Sequence, residues 1–93
     1  MEQAYNELKA RPQPTTTIDN SEQESYDCYE LTKFPALQAL VSSEIPSAIY
    51  VYVEVLSQEN QQVFNLMFFD SDEEDVGGCE LTPTQVYWDD DNS

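Results

Sequence analysis

The sequence predicts an α+β fold in which a small antiparallel sheet of three to four strands is covered by one helix. Two runs, at about 48–56 and 62–69, alternate side chains with the period of a strand and form the central hairpin. A third run, at about 35–43, has apolar residues at helical spacing. Ninety-three residues are enough for one such domain.

Residues 1–25 are expected to form an N-terminal arm and linker, which leaves 26–93 as the single folded domain. A short helix is compatible with EQAYNELKA, where Ala4, Tyr5 and Leu8 lie at helical spacing. The following RPQPTTTIDNSEQES contains two prolines and many small polar residues. That composition is typical of an extended or mobile linker.

The first elements of the domain are a strand and a helix. YDCYELT, at 26–32, alternates in the manner of a short strand. In KFPALQALVSSE, Pro35 occupies the first helical turn, where the missing N–H of proline is tolerated. The apolar stripe of this helix is Phe34, Leu37, Leu40 and Val41. Pro46 ends the helix, because the residue before a proline avoids helical angles.

The strongest strand signal is SAIYVYVEVL at 47–56. One of its faces carries Ile49, Val51, Val53 and Val55, and the other carries Tyr50, Tyr52 and Glu54. After the polar residues SQENQ, the run QVFNLMFFD is a second strand, so a five-residue loop is expected to close the hairpin. The residues expected to pack together are Val51, Val53, Leu66 and Phe68, against Leu37 and Leu40 of the helix.

The C-terminal LTPTQVYWDDD has the features of a capping box, with Thr82 as N-cap, Pro83 at the first helical position and Gln85 at the third. A short helix at about 83–90 is therefore expected. A strand through QVYW is the alternative, because valine, tyrosine and tryptophan have high β propensity.

Charge is the dominant feature of the composition. The formal net charge is −16, and the only basic residues, Lys9, Arg11 and Lys33, precede Phe34. Repulsion among so many negative charges destabilises a compact chain. The same net charge repels nucleic acid and anionic lipid, so neither is expected as a partner. The sequence contains no run long and apolar enough to span a membrane and no signal peptide, so a cytoplasmic protein is expected.

The residue content argues against an enzyme. Histidine, the usual general acid–base, is absent, and three cations and two glycines offer little for phosphate chemistry. A pair of carboxylates can hydrolyse a glycoside, but that reaction needs a deep cleft that so short a chain cannot supply. Cys28 and Cys79 lack metal or redox spacing and are expected to be buried free thiols. No cofactor is expected.

DSDEEDVGGCE, at 70–80, is the densest acidic segment and can be aligned with an EF-hand calcium loop. With Asp70 as ligand position 1, the glycine position holds Asp75 and the terminal glutamate position holds Leu81. The run before it also resembles a strand rather than a helix. We therefore expect no metal site, but a mobile loop used as a partner-facing electrostatic surface.

The charge density suggests what that partner is. A globule of this length has a diameter of roughly 30 Å, so it carries about one net charge per ~2 Å, close to duplex DNA with one per ~1.7 Å. Carboxylates at alternate positions of an extended segment would lie ~7 Å apart on one side. The expected partner-binding residues are Glu54, Asp70, Asp72, Glu73, Glu74, Asp75, Glu80, Asp89, Asp90, Asp91, Tyr50, Tyr52 and Trp88.

In composition and size the whole chain resembles the small acidic DNA-mimic inhibitors that phages and other mobile elements use against restriction, CRISPR, repair or nucleoid proteins. The resemblance implies a non-enzymatic inhibitor, of the anti-restriction or anti-CRISPR type, that occupies the cationic nucleic-acid site of a larger protein. The alternative is an acidic adaptor or assembly factor that binds a basic subunit unrelated to nucleic acid. In that case Tyr50, Tyr52 and Trp88 matter more than total charge.

Overall fold

The computed structural model describes residues 2–19 and 25–89 of the chain. Within these two ranges, six strands form one antiparallel sheet in chain order, and the segment between the second and third strands carries a helix. The elements are α1 (Glu2–Lys9), β1 (Thr16–Asp19), β2 (Ser25–Glu30), a 3-10 turn (Leu31–Lys33), α2 (Pro35–Ser42), β3 (Tyr50–Gln58), β4 (Gln61–Phe69), β5 (Asp75–Leu81) and β6 (Val86–Trp88).

The expectation of three to four strands is wrong, because the sheet has six, although the α+β class fits. One unexpected strand, β1, lies in the segment assigned to the linker and pairs with β2 from Thr16 opposite Cys28 to Asp19 opposite Ser25. A four-residue strand with a single buried side chain, Ile18, is too short to show a clear alternation. β5 was also not expected, because its two glycines have no side chains and interrupt the alternation typical of a strand.

The central hairpin is present, but its loop is shorter than expected. The β3–β4 ladder continues to Gln58 opposite Gln61, which leaves only Glu59 and Asn60 to turn the chain. Their φ angles of 50° and 67° are those of a type I′ turn, whose twist matches that of the flanking strands. The polar residues on either side of the turn are exposed to solvent and still pair in the ladder.

The expected C-terminal helix at 83–90 is wrong. The cap itself forms, since Thr82 Oγ accepts hydrogen bonds from the N–H groups of Thr84 at 3.3 Å and Gln85 at 2.9 Å. The chain then turns back instead of winding on, and β6 pairs with β5. The capped turn is common to both outcomes, and pairing with an existing sheet edge selected the strand.

The main core lies between the two helices and one face of the sheet. Ala4, Tyr5 and Leu8 of α1 are buried together with Leu37 and Val41 of α2. The sheet contributes the buried residues Tyr29, Val51, Phe64, Leu66, Phe68, Cys79 and Leu81, and the 3-10 turn contributes Leu31. Of the residues expected in this core, Val53 and Leu40 are only half-buried.

A carboxylate links the two helices. Glu7 of α1 accepts hydrogen bonds from the N–H of Ala36, at 3.1 and 2.9 Å to its two oxygens, and from the N–H of Leu37 at 3.1 Å. These are free N–H groups of the first turn of α2, and Phe34 at the N-cap position supplies no side-chain cap. Glu7 therefore caps a helix that begins 28 residues further along the chain, and its negative charge interacts favourably with the positive end of the helix dipole.

Within the part of the chain that the structure describes, neither helix has the length and apolar character needed to cross a bilayer.

Candidate functional site

The sheet has one face covered by helices and one that neither helix covers. Side chains paired across antiparallel strands lie on the same face, and Tyr52 is paired with Cys28 on one side and Met67 on the other. The same row continues to Gly78, which accepts a hydrogen bond from the Asp89 N–H at 3.0 Å. We call this surface, opposite the core packed under α1 and α2, the open face.

The row next to it brings together two of the predicted partner-binding glutamates. Glu54, Asn65, Glu80 and Tyr87 lie side by side on β3, β4, β5 and β6. Neighbouring strands are about 4.8 Å apart, so the backbones at Glu54 and Glu80 are separated by roughly 10 Å. The Asn65 side-chain amide donates to Glu54 Oε1 at 3.2 Å, and the Glu54 side chain is exposed to solvent.

Aromatic residues form a second small core on the open face. The Tyr26 ring lies 5.0 Å from that of Tyr52 and 5.8 Å from that of Phe69, measured between centroids. These rings bury Ile18 and Cys28 completely, whereas Tyr50 and Tyr52 are half-buried. The two predicted tyrosines therefore both pack against this cluster and present part of their surface to solvent.

The acidic loop, which comprises residues 70–75, lies close enough to this aromatic cluster for the charge of Glu73 to act on the Cys28 thiol. The pKa of the thiol is raised to about 12, first by burial and then by the negative charges of Asp27 and Glu73. Glu73 belongs to the β4–β5 connection, far from Cys28 in sequence. The loop thus adds its charge to the same end of the open face as Tyr50 and Tyr52.

The acidic loop itself is a closed turn and not an extended segment. Asp70 Oδ1 accepts the N–H groups of Asp72 at 2.9 Å and Glu74 at 3.0 Å, and Glu73 has a φ of 63°. The ~7 Å spacing expected for an extended run therefore does not apply here. Asp72, Glu73 and Glu74 are exposed, and Asp75 begins β5 with its carboxylate accepting the Gly77 N–H at 2.9 Å.

The three cations of the chain all lie outside the sheet. Lys9 Nζ is 5.8 Å from the centre of the Tyr5 ring, and Arg11 Cζ is 5.6 Å from that of Phe64, both rings belonging to the main core. Lys33 lies in the 3-10 turn before α2. Charge is thus distributed asymmetrically, since the basic residues accompany the helices while the open face bears carboxylates.

One predicted site residue, Trp88, does not join this surface. Trp88 is half-buried on the helix-covered face, where its ring lies 6.4 Å from that of Phe68. Asp90 and Asp91 lie outside the described residues. In contrast, Tyr87 was not predicted, yet it is 53% exposed on the open face beside Glu80. A strand assignment for QVYW would have placed Tyr87 and Trp88 on opposite faces.

The two thiols and the carboxylates are the side chains of this chain that could act as metal ligands. Cys28 and Cys79 are buried and unpaired, and they lie on opposite faces of the sheet. Burial, followed by the charge of Asp89, raises the pKa of Cys79 to about 12. Among residues 2–19 and 25–89, no three cysteine or acidic side chains are grouped so that they could hold a metal ion.

Comparison with protein-family models, with curated proteins and with solved structures gave no match for this chain.

Proposed function

We propose that this protein is a non-enzymatic inhibitor of the DNA-mimic class, which uses its open face to occupy the cationic nucleic-acid-binding site of a larger protein. The observation that carries the proposal is the charge asymmetry of the fold. Glu54, Glu80, Asp89 and the 70–75 loop share one side of the sheet, whereas Lys9 and Arg11 pack beside the helices. A surface of one sign is what a basic groove selects.

The charge density supports a nucleic-acid-like competitor. Sixteen net negative charges along the longest dimension of 35 Å correspond to one per about 2.2 Å. Duplex DNA carries one per ~1.7 Å of axis. Carboxylates would take the place of phosphates, and the partly exposed rings of Tyr50 and Tyr52 that of the apolar edges of bases and sugars. Long-range attraction would speed association, and salt would weaken it steeply.

A second candidate, an acidic adaptor or assembly factor for a basic subunit unrelated to nucleic acid, is favoured by the aromatic cluster. Tyr26, Tyr50 and Tyr52 are adjacent on the open face, and tyrosine is enriched where interfaces concentrate their binding energy. On this hypothesis the rings anchor the complex and the carboxylates mainly orient the partner. The two functions therefore differ in whether the partner itself binds nucleic acid.

The decisive experiment is competition. The protein is immobilised, partners are captured from a host lysate at low salt, and each captured protein is purified and challenged with duplex and single-stranded nucleic acid. A DNA mimic predicts that nucleic acid displaces the partner and that capture falls steeply between ~50 and ~200 mM salt. Partners that bind no nucleic acid, or whose capture is unaffected by it, would contradict mimicry and support the adaptor.

Neutralising the acidic loop separates the two functions by kinetics. The test variant carries Asp72→Asn, Glu73→Gln, Glu74→Gln and Asp75→Asn, which retain acceptor oxygens for the turn. A matched variant removes four charges outside the acidic loop, with Glu2→Gln, Asp19→Asn, Asp27→Asn and Glu44→Gln. A mimic predicts at least a tenfold loss of association rate in the test variant alone. An adaptor anchored by tyrosines would keep most of its affinity in both.

A further inference from the structure

A recess in the open face lies between β4, β5 and the residue that follows β6. It has a volume of about 430 Å³ and is lined by Asn65, Met67, Asp75, Gly78 and Asp89, among others. In the row Tyr52–Met67–Gly78–Asp89, Gly78 is the position that has no side chain. The recess is therefore a gap in the layer of side chains that otherwise covers this face.

The packing around Gly78 keeps the gap open. A Cβ atom at this position would lie 2.5 Å from the Leu66 carbonyl oxygen and 2.8 Å from Asp89 Oδ2. The first contact is with backbone of the neighbouring strand, so any side chain here would push β4 and β5 apart. The same geometry shows that the Asp89 carboxylate leans over the glycine, at the edge of the recess.

The chemistry of the lining is mixed. Asp75 and Asp89 contribute carboxylates, Asn65 contributes an amide, and Met67 provides an apolar wall. Glu80 lies two residues from Gly78 on the same face, so its side chain is about 7 Å along the strand. A small pocket with acids at its rim and a thioether in its wall is complementary to a cationic head on a methylene stem.

We propose that this recess receives one arginine side chain of the basic partner, with the guanidinium held by the Asp75 and Asp89 carboxylates and the stem against Met67. The inference rests on the proposed function, which supplies the basic partner, and it identifies the anchor of that interface. Arginine is favoured over lysine because its planar group donates to two carboxylates at once and is more weakly hydrated. The surrounding charges then steer the partner, whereas the recess fixes its register.

The experiment uses peptides rather than the partner. The ¹⁵N-labelled full chain is titrated with three blocked tripeptides, Gly-Arg-Gly, Gly-Lys-Gly and Gly-citrulline-Gly, at physiological salt. The expected result is a saturable shift of the Met67, Gly77, Gly78 and Asp89 amides by the arginine peptide. Lysine should bind several-fold more weakly, because it is a point charge, and citrulline should not bind because it is uncharged.

Paired variants test the assignment of the two carboxylates. Asp75→Asn with Asp89→Asn should weaken the arginine peptide about tenfold, since it removes both charge-assisted hydrogen bonds. Glu2→Gln with Asp19→Asn removes the same charge elsewhere, on α1 and on the far edge strand β1, and should change binding less than threefold. Equal shifts with arginine and lysine, spread over every acidic segment, would overturn the recess as a site, as would unchanged binding in the first pair.

The two proposals fail separately. Because no partner is present in the titration, a negative result there leaves displacement of a captured partner by nucleic acid intact. Conversely, a protein that binds the arginine peptide at Gly78 but is not displaced by nucleic acid keeps the recess and loses the mimic.

Discussion

Glu7→Gln should destabilise the fold by loosening the contact between α1 and α2. The carboxylate of Glu7 accepts three hydrogen bonds, two from the Ala36 N–H and one from that of Leu37. Glutamine keeps one acceptor oxygen and loses the charge. Because Phe34 provides no cap of its own, α2 has no alternative side-chain acceptor at its first turn.

The expected decrease in stability can be estimated from the two interactions that the substitution removes. Loss of an N-cap interaction costs about 0.5–2 kcal/mol, and loss of a charge favourable to the helix dipole costs about 0.3–1 kcal/mol. Since glutamine retains part of the first contribution, we expect a decrease in the free energy of unfolding of about 1–2 kcal/mol. For a domain of this size that corresponds to a fall in Tm of roughly 5–15 °C.

Urea and thermal unfolding followed by circular dichroism measure this change. The control is Glu30→Gln, which removes the same charge from an exposed residue with no side-chain capping bond, and which should shift stability by less than ~0.5 kcal/mol. Equal stability of the two variants would refute the reasoning, because it would mean that the hydrogen bonds to α2 contribute nothing beyond relief of general charge repulsion.

Four further predictions concern the sheet, the thiols and the acidic loop. Gly78→Ala should destabilise by about 1–3 kcal/mol, because its Cβ would lie 2.5 Å from the Leu66 carbonyl oxygen; unchanged urea unfolding would contradict that contact. Cys28 and Cys79, with pKa values raised from 9.0 to about 12, should react with a thiol-specific reagent at pH 8 only after unfolding, and rapid labelling of the folded chain would contradict their burial. Because the folded thiols hold their protons to higher pH than unfolded ones, they should lower the free energy of unfolding as pH rises from about 9 to 12. Calcium titrated into the chain should give weak, salt-sensitive and unsaturable shifts around Asp70–Asp75, whereas saturable micromolar binding with one stoichiometry would replace the partner-surface interpretation of the loop by a metal site.

Local pattern was sufficient for the elements that carry their own signal. β3 and β4 lie in runs rich in β-branched and aromatic residues, with the alternation clearest in IYVYVEV, and α2 combines an apolar stripe with Pro35 at its first turn. Those patterns involve residues close together in the sequence, so they can be recognised without knowledge of the tertiary structure. The same holds for the charge excess, which depends on composition alone.

Short edge elements were decided by tertiary structure. β6 has three residues, and Thr82 makes the hydrogen bonds of a helix cap before it, so the choice between helix and strand depended on the available edge of β5. β1 likewise has one buried residue, Ile18, and gains its hydrogen bonds from β2. Neither strand can be recognised before its partner is in place, because its stability comes from pairing.

The candidate site divides in the same way. The sequence by itself determined that the chain is strongly anionic, that its few cations precede Phe34, and that Glu54 shares a strand face with Tyr50 and Tyr52. Only the tertiary structure placed Glu80 across Asn65 from Glu54, because that neighbourhood depends on strand register. It also created the recess over Gly78, since a missing side chain becomes a pocket only when strands on both sides supply walls.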